Sequence, residues 1–298
     1  MFDSDIARIL ILAQTSPNFS RQYLETVCTA GLQLDGDKDY RWIRLYPIQK
    51  RQMGRERAYQ KFQWIECRLE NPDRNRDKRK ESYKVFMDTI KPGKIIELSQ
   101  KRQKSGMVRR EYLLDVLGLP VYTNKQTILD GATANDFSLC LFKPSEIVKI
   151  RPIPQSTEFT NREREIINKH LNDNKLDIVE LGHDNKNLKF EKLPYKFKCT
   201  FKDDEGVLST LSILDWEISS CLRRQLASGK SKEDALSFTL QHYSELMDVY
   251  DTYFVLGTRH DRHNALIRRP ESGINPWSVI SVMFLAKPES QTQGRFNF

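Results

Sequence analysis

Hydrophobic and polar positions alternate most cleanly from Asp39 to Pro47, DYRWIRLYP. Read as a β-strand, this stretch sends Ile43 and Leu45 to one face and Tyr40, Trp42, Arg44 and Tyr46 to the other. Phe62–Leu69 repeats the pattern, with Ile65, Cys67 and Leu69 opposite Phe62, Trp64, Glu66 and Arg68. If the two strands pair, their aromatic and basic faces merge into a platform. Such a platform suits stacked bases, because every base offers a π-surface to an aromatic ring or to Arg. It equally suits the inner face of a sheet roofed by another layer.

Around these strands the pattern predicts further elements. Ala7–Ala13 is a short apolar run, read as a buried strand. The polar turn Gln14–Ser20 follows, and Arg21–Ala30 places Tyr23, Leu24, Val27 and Cys28 on one helical face, with Gly31 as a stop. A strand, polar turn and helix can hold an anion at the helix N-terminus, here through Thr15, Ser16, Ser20 and Arg21. Strands are expected at Tyr83–Phe86 and Lys94–Leu98, a helix at Val108–Leu117, and strand formers fill Phe137–Ile153. Residues 1–155 therefore read as a β-rich, barrel-like domain of the PUA or OB type.

Residues 156–190 read as a linker region, in which the capping box Thr160–Glu163 opens a short charged helix, Asn161–Leu171. Residues 191–298 alternate as β-β-α-α-β-β and should close into a compact α+β unit. The fold class is thus α+β, with two domains.

Charge sharpens the picture. The net charge of +8 is concentrated in residues 51–110, which hold 18 Lys and Arg against 8 Asp and Glu. Within that segment, Arg74, Arg76, Lys78, Arg79 and Lys80 lie on the polar stretch Asn71–Glu81, and Lys101, Arg102 and Lys104 form a second cluster. A localised basic region is the electrostatic footprint of a nucleic-acid binder, and its phosphate contacts give affinity without sequence choice. A third basic group, Arg259, His260, Arg262 and His263, is expected on the loop between the last two strands.

Chemistry is less legible. Neither GxxxxGK[ST] nor GxGxxG occurs, and the five cysteines are scattered without CxxC spacing, so no cofactor or metal is expected. His260-Asp261 starts like an HD-type metal dyad, but no Asp follows it. Asp215 and Glu217 are two apart and do not share a helical face, so Asp215 reads as an N-cap. No apolar run is long enough to cross a bilayer, and the first residues lack a secretory pattern, so a cytosolic protein is expected.

VCTAG at 27–31, WIRLYP at 42–47, ILDWE at 213–217, LGT at 256–258 and NPW at 275–277 together resemble an uncharacterised bacterial family of genomic islands and phage-defence loci. The resemblance implies a bacterial setting and a role linked to nucleic acid or phage; no catalytic residue carries over from it. The leading expectation is a nucleic-acid-binding protein, with DNA or RNA and other protein subunits as partners. The alternative is a nuclease or nucleotide-processing enzyme using the 14–21 turn or the 258–264 loop.

Overall fold

β1 (Ile6–Gln14) is apolar on both faces, and that fixes the layering of the molecule. The computed structural model describes residues 6–20, 24–35, 39–50, 53–73, 76–96, 107–173 and 192–288. In it β1 pairs antiparallel with both β3 (Leu24–Asp35) and β5 (Gln63–Glu70). β4 (Asp39–Ile48) pairs with β3 on one side and, in parallel, with β6 (Ser82–Val85) on the other; β6 returns antiparallel to β5. The circuit β1-β3-β4-β6-β5-β1 is closed, a five-stranded barrel with one parallel pair, as in OB-type folds. Short β2 (Asn18–Ser20) and β7 (Lys91–Ile95) pair with β3 and β5.

The barrel interior holds Ile9, Ile11, Val27, Ile43, Ile65 and Cys67 among others. Closure corrects three expectations. Residues 24–30 belong to β3 and not to a helix; Thr26, Val27 and Thr29 are β-branched and suit a pleated surface better than a helix. Gly31 is not a helix stop but the place where β3 meets β1: a β-carbon there would overlap the Leu10 carbonyl oxygen. β4 and β5 do not pair, because β6 lies between them on one side and β1 and β3 on the other.

A second sheet runs β10-β11-β12-β14-β13-β9-β8. Its strands are β8 (Val121–Tyr122), β9 (Leu139–Phe142), β10 (Glu146–Pro154), β11 (Tyr195–Lys202), β12 (Leu208–Ile213), β13 (Asp251–Thr258) and β14 (Trp277–Leu285). β8, β9 and β10 therefore belong with the C-terminal part, and strand pairing divides the chain between Ile95 and Val121, not near residue 155. The expected β-β-α-α-β-β order is present: α3 (Trp216–Ala227) and α4 (Lys232–Val249) follow β12, capped by Asp215 and Ser231. Two earlier helices are α1 (Lys125–Thr133) and α2 (Asn161–Asp173). The Thr160–Glu163 capping box of α2 is formed, and the helix expected after it is present.

One face of the second sheet packs under the helices around Phe142, Phe197, Phe201, Leu222 and Phe254. On the other face Leu139, Leu141, Tyr253, Val255, Ile280 and Met283 pack against the barrel wall, where Leu10, Leu12, Ala30 and Leu32 meet them. The helical segment 107–116 closes one side of this seam with Leu113. Among the described residues no helix is long and apolar enough to cross a membrane. The described cysteines are free thiols, all buried except the half-buried Cys28.

Gly31→Ala is expected to destabilise the protein by about 1–3 kcal/mol, the usual cost of forcing extra volume into a close-packed site. A urea unfolding midpoint equal to that of the wild type would show that β1 and β3 have room to separate.

Candidate nucleic-acid interface

β4 alternates as its sequence predicts, but its aromatic face is turned into the seam. Tyr40 and Trp42 are half-buried and pack against the apolar cluster shared by the barrel and the second sheet, as does Trp64 of β5. Trp64 meets the Tyr112 ring edge-on at 6.3 Å, and the Arg8 guanidinium sits 4.7 Å from its centroid. The continuous platform expected from Trp42, Tyr46, Trp64, Arg44 and Arg68 is therefore absent. Tyr46 and Arg68 are exposed, Tyr46 beside Thr26 and Arg68 with its guanidinium 5.6 Å from the Phe86 ring.

Arg44 departs furthest from expectation: only 2% of it is exposed. Its guanidinium donates to Ser138 Oγ at 2.9 Å and to the Ser138 carbonyl at 3.0 Å. Glu81 accepts from the Ser138 amide and hydroxyl at 2.6 and 2.7 Å, and the Glu81 carbonyl accepts from the Arg44 amide. Burial, with Arg79 nearby, pushes the Arg44 pKa down to about 10, which still leaves it charged at neutral pH. Arg44 is a bolt between barrel and second sheet, not a base-stacking group.

What remains open of the aromatic face is a shallow groove of about 180 Å³ at the rim of the seam. Tyr40 and Trp42 form one wall; Pro120, Tyr122 and Phe137 form the other. The Tyr122 and Phe137 rings lie 5.0 Å apart, and burial raises the pKa of both tyrosines, so they keep their protons. Arg41 stands at the edge, held by Gln33 and stacked 5.2 Å over Tyr83.

The basic stretch 71–81 has no apolar residue beyond Pro72 and so reads as an exposed loop, yet its second half is docked. The Arg76 carbonyl accepts from Asn264 Nδ2 at 2.7 Å and lies 2.7 Å from His260 Nε2; the Lys78 amide donates to Asn264 Oδ1. Arg79 is buried, paired through two nitrogens with Asp77 and donating to the Thr258 carbonyl at 3.0 Å. Burial works to raise the Asp77 carboxyl, but the hydrogen bonds and charge of Arg79 outweigh it and hold the group well below the usual carboxylate range. Arg79 therefore stabilises the loop and is not available to phosphate.

The expected loop at 258–264 is mostly α5 (His260–Arg268). His263, 0% exposed, places Nε2 3.0 Å from Asn135 Oδ1, and its Nδ1 has no hydrogen-bond partner among the described residues. Burial, then the charges of Arg79 and Arg44, push its pKa down to about 4. It is a neutral core residue at physiological pH, which removes it from the proposed ligand contacts. Arg259, His260 and Arg262 stay exposed. Docking of the loop onto α5 thus gathers Arg76, Lys78, Lys80, Arg259, His260 and Arg262 on one surface, with Asp73 and Asp261 as nearby acids. Segment 135–139 links this surface to the groove: Asn135 touches α5, and Phe137 and Leu139 line the groove. Arg74, Lys101, Arg102 and Lys104 lie outside the described residues.

The anion site expected at the 14–21 turn does not form, because a strand and not a helix follows it. Thr15 Oγ1 accepts from the Cys28 amide, and Ser16 Oγ lies 2.6 Å from Ser219 Oγ and donates to the Asp215 carbonyl. Ser20 lies in β2, and Arg21 is outside the described residues. These hydroxyls tie the barrel to α3. Beside them, buried Asp215 accepts from the Glu217 and Val282 amides at 2.7 and 2.6 Å, with Lys61 Nζ 4.0 Å away. Burial raises its pKa to about 6 against the pull of Lys61. Its role is the capping one that its sequence position predicts. Neither segment offered for enzymatic chemistry assembles a catalytic arrangement among the described residues.

The chain pattern missed two features. The Arg44–Ser138–Glu81 clamp has no local signal, since its partners are far apart in sequence. The lysines of β11 do carry a signal, the alternation in YKFKCTFK, which marks one face of that strand as basic.

Two outcomes follow from the buried groups. Arg44→Ala should cost about 3–5 kcal/mol, because it strands Glu81 and the Ser138 carbonyl without their cation. Arg44→Lys should recover little, having no planar fork; a urea midpoint near wild type for either variant would contradict the clamp. His263 stays neutral in the fold while the unfolded chain takes a proton near pH 6.5. Stability should therefore fall as pH drops from about 6.5 to about 4 and level off below, by about 3 kcal/mol for this group. His263→Gln should remove that component from unfolding curves measured across the window; an unchanged pH profile would refute it.

The domain of unknown function DUF8758 matches residues 5–114, the barrel with the helical segment behind it. No curated protein matches the chain in sequence. Among solved structures, a replication protein A heterotrimer bound to ssDNA aligns at 9% identity and a TM-score of 0.25 over 94% of this chain, a likeness too distant to inform fold or function. The chain spans 65% of the length of that matched chain. The domain of unknown function DUF8757 matches residues 123–297, more than half of the sequence, and the chain belongs to that family.

Proposed function

We propose that this protein binds single-stranded nucleic acid, with phosphates on the exposed cations of the 76–80 loop and α5 and an unpaired base in the neighbouring groove. The observation that carries the reading is the docked loop. Backbone hydrogen bonds to His260 and Asn264 hold Arg76, Lys78 and Lys80 beside Arg259 and Arg262, so the cations are positioned before any ligand arrives. The loop joins β5 to β6, the last two strands of the barrel, and this is one of the loops with which OB-type barrels hold oligonucleotides. The usual face of such barrels is covered here by the second sheet, which leaves the rim groove of Tyr40, Trp42, Tyr122 and Phe137 for stacking. A place as accessory subunit of a bacterial defence or mobile-element assembly rests on the short sequence motifs alone.

Fluorescence anisotropy with single- and double-stranded DNA and RNA at several salt concentrations tests the reading. Phosphate contacts by these five cations to a single strand predict a slope of log K against log salt of about −3.5. Replacing Lys78, Lys80 and Arg262 together by Gln should flatten that slope by about 2. Binding that ignores salt, or a triple variant as tight as wild type, would contradict phosphate contact at this surface.

A further inference from the structure

The barrel covers only part of its side of the second sheet. Over β9, β13 and β14 the sheet is apolar and sealed, and Leu214, just past β12, is its last side chain in the seam. Beyond it, the same face of β10, β11 and β12 is open. Strand register places its side chains in cross-strand rows. Arg151 stands opposite Lys198, which stands opposite Ser212; Lys149 faces Thr200 and then Thr210; Glu146 faces Lys202 and then Leu208. Lys196 completes the set opposite Ile153.

Five cations thus share this shelf with one carboxylate, Glu146, which is paired with Lys202 at 2.7 Å. Lys149, Arg151, Lys196 and Lys198 meet no acid within salt-bridge distance among the described residues. The opposite face of the same strands shows the contrast: Phe197, Cys199 and Phe201 are buried beneath the helices. Directly opposed like charges on neighbouring strands destabilise a sheet, so Arg151 against Lys198 is a cost that a bound anion relieves.

We infer that this shelf is a second phosphate-binding surface, which engages the backbone of a nucleic-acid strand beyond the part held by the loop. Three observations select that ligand. Lys196, Lys198 and Lys202 of β11 share this face, about 6.8 and about 13.6 Å apart along the strand, a linear spread suited to a polyanion and not to a single small anion. The surface is mostly polar, with Thr200, Thr210 and Ser212 between the charges and the apolar Ile153 and Leu208 only in its end rows. Third, β11 lies three strand spacings, about 14 Å, from β13, whose end leads into α5, so one strand can reach both surfaces. The inference rests on the single-strand reading above and adds a route for a longer ligand.

The test uses the full chain and labelled single-stranded DNA of about 8 and about 24 nucleotides. Lys149, Arg151 and Lys198 are replaced together by Gln. Affinity for the longer strand should fall at least tenfold and its salt slope should flatten by about 2, while the shorter strand, held by the loop, binds as before. In the absence of nucleic acid the melting temperature should be unchanged or higher, because opposed charges have been removed; a residue needed only for folding would lower it. Wild-type affinity of the shelf variant for the longer strand overturns the shelf and leaves the loop reading intact. If the shelf variant loses binding and the Lys78, Lys80, Arg262 variant does not, the loop reading fails and the shelf stands. If the wild-type protein binds neither strand but binds poly-glutamate, and the shelf variant does not, the surface takes an acidic protein and the nucleic-acid assignment is overturned. Binding to none of these probes overturns both.

Discussion

A barrel strand has one face inside and one outside, and β1 is hydrophobic on both. That single constraint organises the molecule. Leu10 and Leu12 on the outer wall would be exposed to water unless another layer covered them, and the second sheet supplies it with Leu141, Val255 and Met283. Once the seam is closed, the aromatic face of β4 has nowhere else to go, so Tyr40 and Trp42 are half-consumed by packing. The groove at the rim is what the seam leaves over.

A closed apolar seam buries backbone ends and loops beside it, and these need polar partners. Arg44, Glu81 and Ser138 satisfy one another at one place, Arg79, Asp77 and the Thr258 carbonyl at a second, and Lys61, Asp215 and Glu217 at a third. Each group joins the barrel to the second sheet or to its helices. Buried charges held in such groups contribute little net stability, but losing one partner is costly, so they fix which surfaces meet. The same bonds that satisfy Arg79 and Asn264 also hold the exposed cations of the loop in position.

Alternation made β4, β5, β11 and the order of the C-terminal elements legible, because period-2 patterning survives wherever one face is buried. It failed at 24–30, where Leu24, Val27 and Cys28 also fit a helical period and the β-branched content was the better guide. It failed again for Arg44 and Arg79, since a charge in a strand or a polar loop reads as exposed until its distant partner is known. Ser138 is 94 residues from Arg44, and no local window contains both. Charge density along the chain marks the basic groups, but that His260 and the 76–80 loop share a surface is visible only in three dimensions.

The seam also bears on inheritance. The matches to DUF8758 and DUF8757 divide the sequence into two units, yet the hydrophobic layer between them belongs equally to both. A gene fragment encoding either unit alone would make a protein with an uncovered apolar wall, prone to stick to its own copies. Exchange of one unit between lineages would need a matching wall on the other. The two should therefore pass through evolution as a linked pair, their facing residues changing in step.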